Sequence, residues 1–301
     1  MMNEQQMGVT LAEALLEAAT ALRKAGVAEA RREAATLLMH AHQCDRAYLV
    51  THSDERIADE ELARFRLWTA RRATGEPLQY ITGRQEFYGL EFEVTPDVLI
   101  PRPETELLVE TALELLRDTS QPLICDVGTG SGCISVALLH ERQDARAIGL
   151  DISPPALLVA ARNAARHDVA ARLTLHVSDC FDVLHEGAHE RTRFDIVVSN
   201  PPYIPEADIA GLQPEVREHE PRHALTPGGD DNGDGLRIIR RLIAEASQFL
   251  NPRGHLILEM GYGQADAVRA LIDPRVWTLH GIHADLQGIP RIVALSIRQV
   301  D

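Results

Sequence analysis

A short β-rich run, Leu123-Ile124-Cys125-Asp126-Val127, breaks into Gly128-Thr129-Gly130-Ser131-Gly132 and then into a helical stretch with Ile134, Val136, Ala137 and Leu138. Glycines allow a tight turn and let the backbone approach a ligand closely. The helix that follows offers free N–H groups at its start. A dinucleotide site needs G-x-G-x-x-G, but position 133 is Cys133 and the third glycine is Gly132, so the spacing is G-x-G-x-G. No Gly-Lys-Ser/Thr follows, which excludes a Walker loop.

Two further strands end on acids. Ala147-Ile148-Gly149-Leu150 runs into Asp151, about twenty residues past the glycine turn, where an acid is placed to accept both hydroxyls of a ribose. Leu173-Thr174-Leu175-His176-Val177 runs into Ser178-Asp179-Cys180. Asp179 is a candidate acceptor for an adenine amino group, with Cys180 as apolar packing beside the ring. Any one such acid reads equally well as a solvated loop carboxylate. Regularly spaced behind a glycine turn, they point to a nucleoside cofactor with no phosphate to bind.

A fourth strand-like run, Phe194-Asp195-Ile196-Val197-Val198-Ser199, delivers Asn200-Pro201-Pro202-Tyr203 at its carboxyl end. In an open α/β sheet that edge is where ligands bind. The Asn200 side-chain carbonyl and a main-chain carbonyl of the Pro-Pro turn can accept the two N–H bonds of a planar NH2 group. The prolines lack donors and fix φ, which keeps those acceptors aimed. Tyr203 offers a flat face to an amide or base. A Pro-rich turn that merely ends a strand has the same sequence, and the four residues do not distinguish glutamine from adenine.

The glycine turn, Asp151 and NPPY together resemble a class I S-adenosylmethionine-dependent methyltransferase acting on a planar nitrogen. GEPLQYITGRQEFYGLEF at 75–92, VLIPRPETELLVE at 98–110 and EPRHALTPGG at 220–229 are similar to the HemK/PrmC family, the protein-(glutamine-N5) methyltransferases of peptide chain release factors. The likeness covers nearly the whole chain. It implies S-adenosyl-L-methionine as cofactor and the glutamine of the Gly-Gly-Gln loop of class I release factors as target. It also implies cofactor contacts at Asp126, Val127, Gly128, Thr129, Gly130, Gly132, Asp151, Asp179, Cys180 and Asn200, and catalytic and substrate contacts at Asn200, Pro201, Pro202 and Tyr203. The IPRPETE segment lies over the cofactor in the family. Arg102 and Glu104 are therefore candidate contacts by resemblance; their spacing alone makes them helix-start residues.

The alternation of strand and helix after residue 101 argues an α/β fold with a mostly parallel, Rossmann-like sheet. His255–Glu259, Val276–Leu279 and Arg291–Leu295 supply later strands, the last pair forming an antiparallel edge. Before it, residues 1–83 read as a small helical bundle, which by resemblance docks the protein substrate, and 84–100 as a hairpin linker around Gly89. Thr10-Leu11-Ala12-Glu13 is a capping-box pattern with Leu11, Leu15, Ala18 and Leu22 on one face. A second helix spans about 30–43 and a third begins after Asp59. Arg64, Arg66, Arg71 and Arg72 are candidates for a basic docking face, or for an ordinary solvated one. The Pro-rich connection from Tyr203 to Leu236 is long enough to read as a lid or a wall beside Asn200.

At 301 residues, 45% apolar, the chain has enough core for two domains. It carries no apolar run fit to span a bilayer and no secretory pattern at its start. Four scattered cysteines suit a reducing, cytoplasmic setting. A net charge of −15 opposes polyphosphate binding, so direct nucleic-acid readout is not expected. A monomer is expected. No metal is expected. His185-Glu186-Gly187-Ala188-His189 mimics H-E-x-x-H but has a glycine in its middle. Asp230, Asn232, Asp234 and Gly235 mimic an EF-hand loop whose last ligand position is Arg241. Asp234 suits a helix cap instead. His40 and His42 do not share a helix face.

Three other functions stay open: an N5-glutamine methyltransferase acting on a ribosomal protein, an adenine-N6 methyltransferase, and a non-catalytic module binding S-adenosylmethionine and a translation factor. The PRPETE sequence fits the release-factor branch better than the first. The second should carry a basic target-recognition region, which is not found.

Overall fold

The structure is a computed structural model that describes residues 8–185, 192–229 and 233–299. His185–His189 and Asp230–Asn232 therefore fall wholly or largely outside the described residues. The chain divides into two compact units: Met1–Gly83 with Pro214–His219, and the remainder.

In the first unit the capping box forms as its sequence predicts. Glu13 N donates to Thr10 Oγ1 at 3.2 Å and Thr10 N donates to Glu13 Oε2 at 2.9 Å, so both ends of the exchange satisfy helix-start donors. The helix Leu11–Lys24 buries Leu11, Ala18 and Leu22, while Leu15 is only half-buried. Helices Ala30–His42 and Asp59–Ala73 pack against it through Ala34, Leu37, Leu38, Ala41, Leu62 and Phe65. Short helices Arg46–Thr51 and Leu78–Thr82 complete the bundle.

The four arginines do not form a free basic face. Arg72 is buried between Glu33 and Glu215, its Nη2 lying 2.8 Å from Glu215 Oε2. Arg71 pairs with Glu76 and Arg66 with Glu17; Arg64 donates to the Ala41 carbonyl and lies over the Trp68 ring. Carboxylates of the same unit, distant in sequence for Arg66 and Arg72, claim Arg66, Arg71 and Arg72. His40 bonds the Thr36 carbonyl and His42 meets Glu61, so the two histidines go to different partners.

The second unit opens with the hairpin β1 (Arg84–Phe87) and β2 (Leu90–Glu93), whose turn residues Tyr88 and Gly89 have φ of 53° and 72°. Two positive φ values give a two-residue turn the twist that antiparallel strands require. The main sheet comprises β3 (Leu123–Val127), β4 (Arg146–Asp151), β5 (Leu173–Val177), β6 (Phe194–Ser199), β7 (Leu250–Glu259), β8 (Trp277–Ala284) and β9 (Pro290–Ile297). Its order is β5-β4-β3-β6-β7-β9-β8. The first five pair in parallel, and β9 runs antiparallel to both β7 and β8. This is the class I methyltransferase sheet that the sequence resemblance implies.

Strands β3 and β6 and the end of β7 from Leu256 are largely apolar with little alternation because helices cover both faces of a parallel sheet. The switch in winding direction falls between β3 and β6, and it opens a crevice at their carboxyl ends. Ser199 Oγ donates to the Val127 carbonyl at 2.6 Å across that crevice, pinning the two strand ends together. The glycine turn and NPPY thus start side by side.

Candidate active site

A cavity of about 570 Å³ occupies the crevice, a size suited to a nucleoside cofactor. Of the residues singled out from sequence, Val127, Gly128, Thr129 and Gly130 line it from the glycine turn, and Asp151, Asp179 and Cys180 from the ends of β4 and β5. Asn200, Pro201 and Pro202 line it from the end of β6, and Arg102 from the segment before the first α/β helix. Asp126, Gly132 and Tyr203 are not among the lining residues.

Asp126 lies behind the turn, with no solvent exposure. Its Oδ2 accepts from Thr129 Oγ1 and Ser135 Oγ, each at 2.7 Å, so the carboxyl braces the turn from below. Burial pushes its pKa up to about 6. Gly132 faces the helix Pro154–Arg166: a Cβ there would meet Ala160 Cβ at 3.1 Å, and its φ is +80°. From that same helix the buried Asn163 donates to the Ser131 carbonyl at 2.8 Å, which holds this part of the turn in place.

Asp151 is the acid at the cavity floor. Its Oδ2 accepts from Gly130 N at 2.8 Å and its Oδ1 from Ser153 N at 2.9 Å. Each oxygen keeps a lone-pair direction for a ligand hydroxyl. Burial raises its pKa, opposed by those two backbone donors. Asp179 is half-exposed and pairs with Arg241 at 3.0 Å, while Cys180 is buried at φ 48°. Burial pushes the Cys180 thiol up to about 12, so it serves as apolar packing.

These features fit S-adenosylmethionine: a glycine turn open to close approach, a buried acid with spare acceptors, and, among the described residues, lining arginines that are each engaged within the protein. Arg102 pairs with Glu220 at 2.5 Å, Arg222 with Glu206, and Arg237 donates to the Pro227 carbonyl. Glu220 has an almost fully buried side chain and also accepts from Ile100 N at 3.4 Å. The segment after NPPY does form a wall of the cavity, through Glu206 and residues 222–224 and 226–228. Asp234 accepts from Leu236 N at 3.0 Å and pairs with Arg240, forming a turn just before the helix Arg237–Glu245.

Around NPPY the structure assembles a chain of polar contacts that sequence reasoning did not assign. Asn200 Nδ2 donates to Thr105 Oγ1 at 3.0 Å, and the Thr105 hydroxyl donates to Glu259 Oε2 at 2.7 Å. The Tyr203 hydroxyl donates to Glu259 Oε1 at 3.1 Å. Tyr203 is thus turned to the end of β7 and does not show its ring to the cavity. Burial pushes Glu259 up to about 7, opposed by the bonds from Thr105 and Tyr203. Gln264 Nε2 holds the Tyr203 carbonyl at 2.9 Å. The signal for Glu259 was the one used for Asp151 and Asp179, an acid ending a parallel strand. Thr105 and Gln264 had no such signal.

Two family descriptions match the chain: the PrmC N-terminal domain over residues 13–83 and the methyltransferase domain over residues 118–274. Among similar proteins, the release factor glutamine methyltransferase of Geobacter sulfurreducens is 46% identical over 90% of this chain and 91% of its own. That of Koribacter versatilis is 42% identical over 95% of this chain and 98% of its own. That of Burkholderia pseudomallei is 46% identical over 86% of this chain and 89% of its own. Among the described residues no helix is long and apolar enough to cross a membrane, and no group of three or more His, Cys, Asp or Glu side chains is placed to hold a metal.

Proposed function

We propose that this chain, which belongs to the release factor glutamine methyltransferase family, methylates the side-chain amide nitrogen (N5) of the glutamine in the Gly-Gly-Gln loop of class I peptide chain release factors. S-adenosyl-L-methionine, when bound, would supply a sulfonium methyl group; in-line transfer to the amide nitrogen would break the methyl C–S bond and leave its electron pair on the thioether sulfur of S-adenosylhomocysteine. The observation that carries the reading is the commitment of Asn200. With Nδ2 given to Thr105, the end of the amide left for a ligand is Oδ1, an acceptor.

An amide nitrogen is a poor nucleophile because its lone pair is delocalised into the carbonyl. Asn200 Oδ1 and the Pro201 carbonyl accept the two N–H bonds of the target. They hold the nitrogen against the methyl carbon and strengthen as positive charge develops on it. Pro202 keeps the turn rigid, and Tyr203 anchors it through Glu259. Asp151 takes the ribose hydroxyls, with Gly128, Gly130 and Thr129 shaping the floor. Asp179 and Cys180 receive the adenine. Arg102, tied to Glu220, closes the cavity rim. No residue is assigned as a general base; the proton leaves to water after transfer.

The helical unit, 1–83, docks the protein substrate; the hairpin linker of 84–100 packs as part of the catalytic unit that continues through 101–301. The enzyme acts as a monomer, in the cytoplasm and without reading nucleic acid. The free state of Cys44, Cys125, Cys133 and Cys180 supports the compartment, and the charge of −15 supports the last point. Transfer of labelled methyl from S-adenosylmethionine to purified release factor tests the reading. Label appears in the wild-type factor and not when its loop glutamine is alanine; equal labelling of both would overturn the assignment.

A further inference from the structure

We propose that Thr105 and Glu259 are positioning residues that fix which end of the Asn200 amide faces the target nitrogen. The inference rests on the reading of Asn200 as the acceptor for the glutamine NH2, and it deepens that reading.

An asparagine amide has two ends of similar size and opposite polarity. Turned over, Asn200 would aim its own NH2 at the NH2 of the substrate, donor against donor, and the site would repel what it must hold. Something in the protein has to choose the end. The contact between Asn200 Nδ2 and Thr105 Oγ1 at 3.0 Å does not choose by itself, since a hydroxyl donates as readily as it accepts. The choice comes from the next link. Thr105 Oγ1 spends its one proton on Glu259 Oε2, 2.7 Å away, because an ionised carboxylate can only accept. The Thr105 oxygen then has lone pairs alone to offer Asn200, and only the NH2 end can meet it. The second carboxylate oxygen is filled by the Tyr203 hydroxyl at 3.1 Å, which ties the opposite end of NPPY to the same acid. One buried charge therefore sets the polarity of the whole chain from the end of β7 to the cavity.

The burial of this acid is otherwise hard to account for. Glu259 is 1% exposed, and Thr105 2%. Burying a carboxylate costs several kcal/mol unless it is well bonded. Both of its hydrogen-bond donors lead to NPPY, Tyr203 directly and Thr105 through Asn200. The charged and titratable groups around it are Arg291 from β9, Tyr203 from the loop after β6, Glu104 from the turn before the helix Glu106–Leu115, and Cys133 at the start of the helix Cys133–Glu141. Arg291, which favours the ionised form, is itself bound to Asp285 at 3.1 Å. A proton on Glu259 Oε2 reverses the polarity: the carboxyl donates to Thr105, the threonine proton turns to Asn200, and Oδ1 is drawn away from the substrate. With burial raising Glu259 to about 7, this reversal falls within a range an assay can scan.

The test uses the full-length chain, S-adenosylmethionine and purified release factor. T105V removes the hydroxyl at nearly constant volume and T105S keeps it; E259Q replaces an obligate acceptor by a group that can donate. The proposal expects kcat at least tenfold lower in T105V, with KM for the release factor moved less and S-adenosylmethionine affinity within twofold of wild type. T105S returns to within threefold of the wild-type rate. The wild-type kcat falls as pH drops below about 7, and E259Q gives a low rate without that limb. A readout independent of turnover is the Asn200 side-chain NH2 in nitrogen-15 spectra, slowly exchanging in wild type and T105S and fast in T105V. Should T105V fail to fold, T105S against E259Q makes the same comparison. Wild-type kcat and protection in T105V, or an unchanged acidic limb in E259Q, overturns the proposal and leaves the methyltransferase reading intact. No transfer by the wild type to the release factor glutamine overturns that reading and this inference with it.

Discussion

A Cβ at position 235 would lie 2.1 Å from the Tyr203 carbonyl oxygen and 2.9 Å from its carbonyl carbon, so Gly235 is the residue on which the exit from NPPY rests. Its φ of +73° adds a second demand for glycine, since a side chain is strained there whatever the space. The contact is backbone against backbone, with no flexible side chain to yield. Gln264 holds the Tyr203 carbonyl and the Asp234 carbonyl together from the other side, at 2.9 and 3.0 Å.

G235A should therefore destabilise the catalytic unit by about 2–4 kcal/mol, the sum of a strained φ and a displaced turn. Urea denaturation measures the loss. Methyl transfer should fall further than the folded fraction does, because the displaced turn is the one that presents Asn200. A variant as stable and active as wild type would show that the turn tolerates a shift of this size.

Glu259 gives a pH signature in stability as well as in rate. Its folded pKa, about 7, lies above the ordinary 4.5, so the folded state binds the proton more tightly than the unfolded chain. The resulting stabilisation is fully present below pH 4.5 and is lost as pH rises through about 7, when the buried acid must ionise. Comparing wild type with E259Q across that window isolates the group from Asp126, whose raised pKa acts in the same direction. The wild type should lose roughly 3 kcal/mol relative to E259Q between those limits. A constant difference would mean that Glu259 titrates like a solvated acid.

Much of this arrangement was legible before any coordinates. Strand ends at Val127, Asp151 and Ser199 follow from apolar runs stopped by glycine, acid and proline, because a parallel strand covered on both faces has no other composition available. The capping box at Thr10 and the hairpin at Gly89 are local, and local chemistry specifies them. What escaped is what depends on distant pairing. Arg102 meets Glu220, and Thr105 meets Glu259, across 118 and 154 positions of sequence. Arg72 looked like a surface cation until Glu33 and Glu215 closed on it. The helices Arg46–Thr51 and Leu78–Thr82 are too short to register a 3.6-residue period. Asp126, a candidate contact by resemblance, has its carboxyl turned by packing to Thr129 and Ser135 behind the turn.

D151N should separate the cofactor site from the target site. Asparagine has one acceptor oxygen where aspartate has two, and Gly130 N and Ser153 N both need one. One donor is left facing an NH2 group, and a ribose hydroxyl loses a charged acceptor. S-adenosylmethionine affinity should fall about 10- to 100-fold, a cost of roughly 1.4–2.8 kcal/mol. Calorimetric titration of the cofactor measures it. Binding within twofold of wild type would remove Asp151 from the cofactor site.

The most direct test of the account is N200A, with kcat for release factor methylation and S-adenosylmethionine affinity measured on the same preparation. If Asn200 holds the target amide in line, kcat falls on the order of 100-fold or more while cofactor affinity stays within about threefold. A variant that keeps the wild-type kcat with cofactor binding intact would contradict the account at its centre.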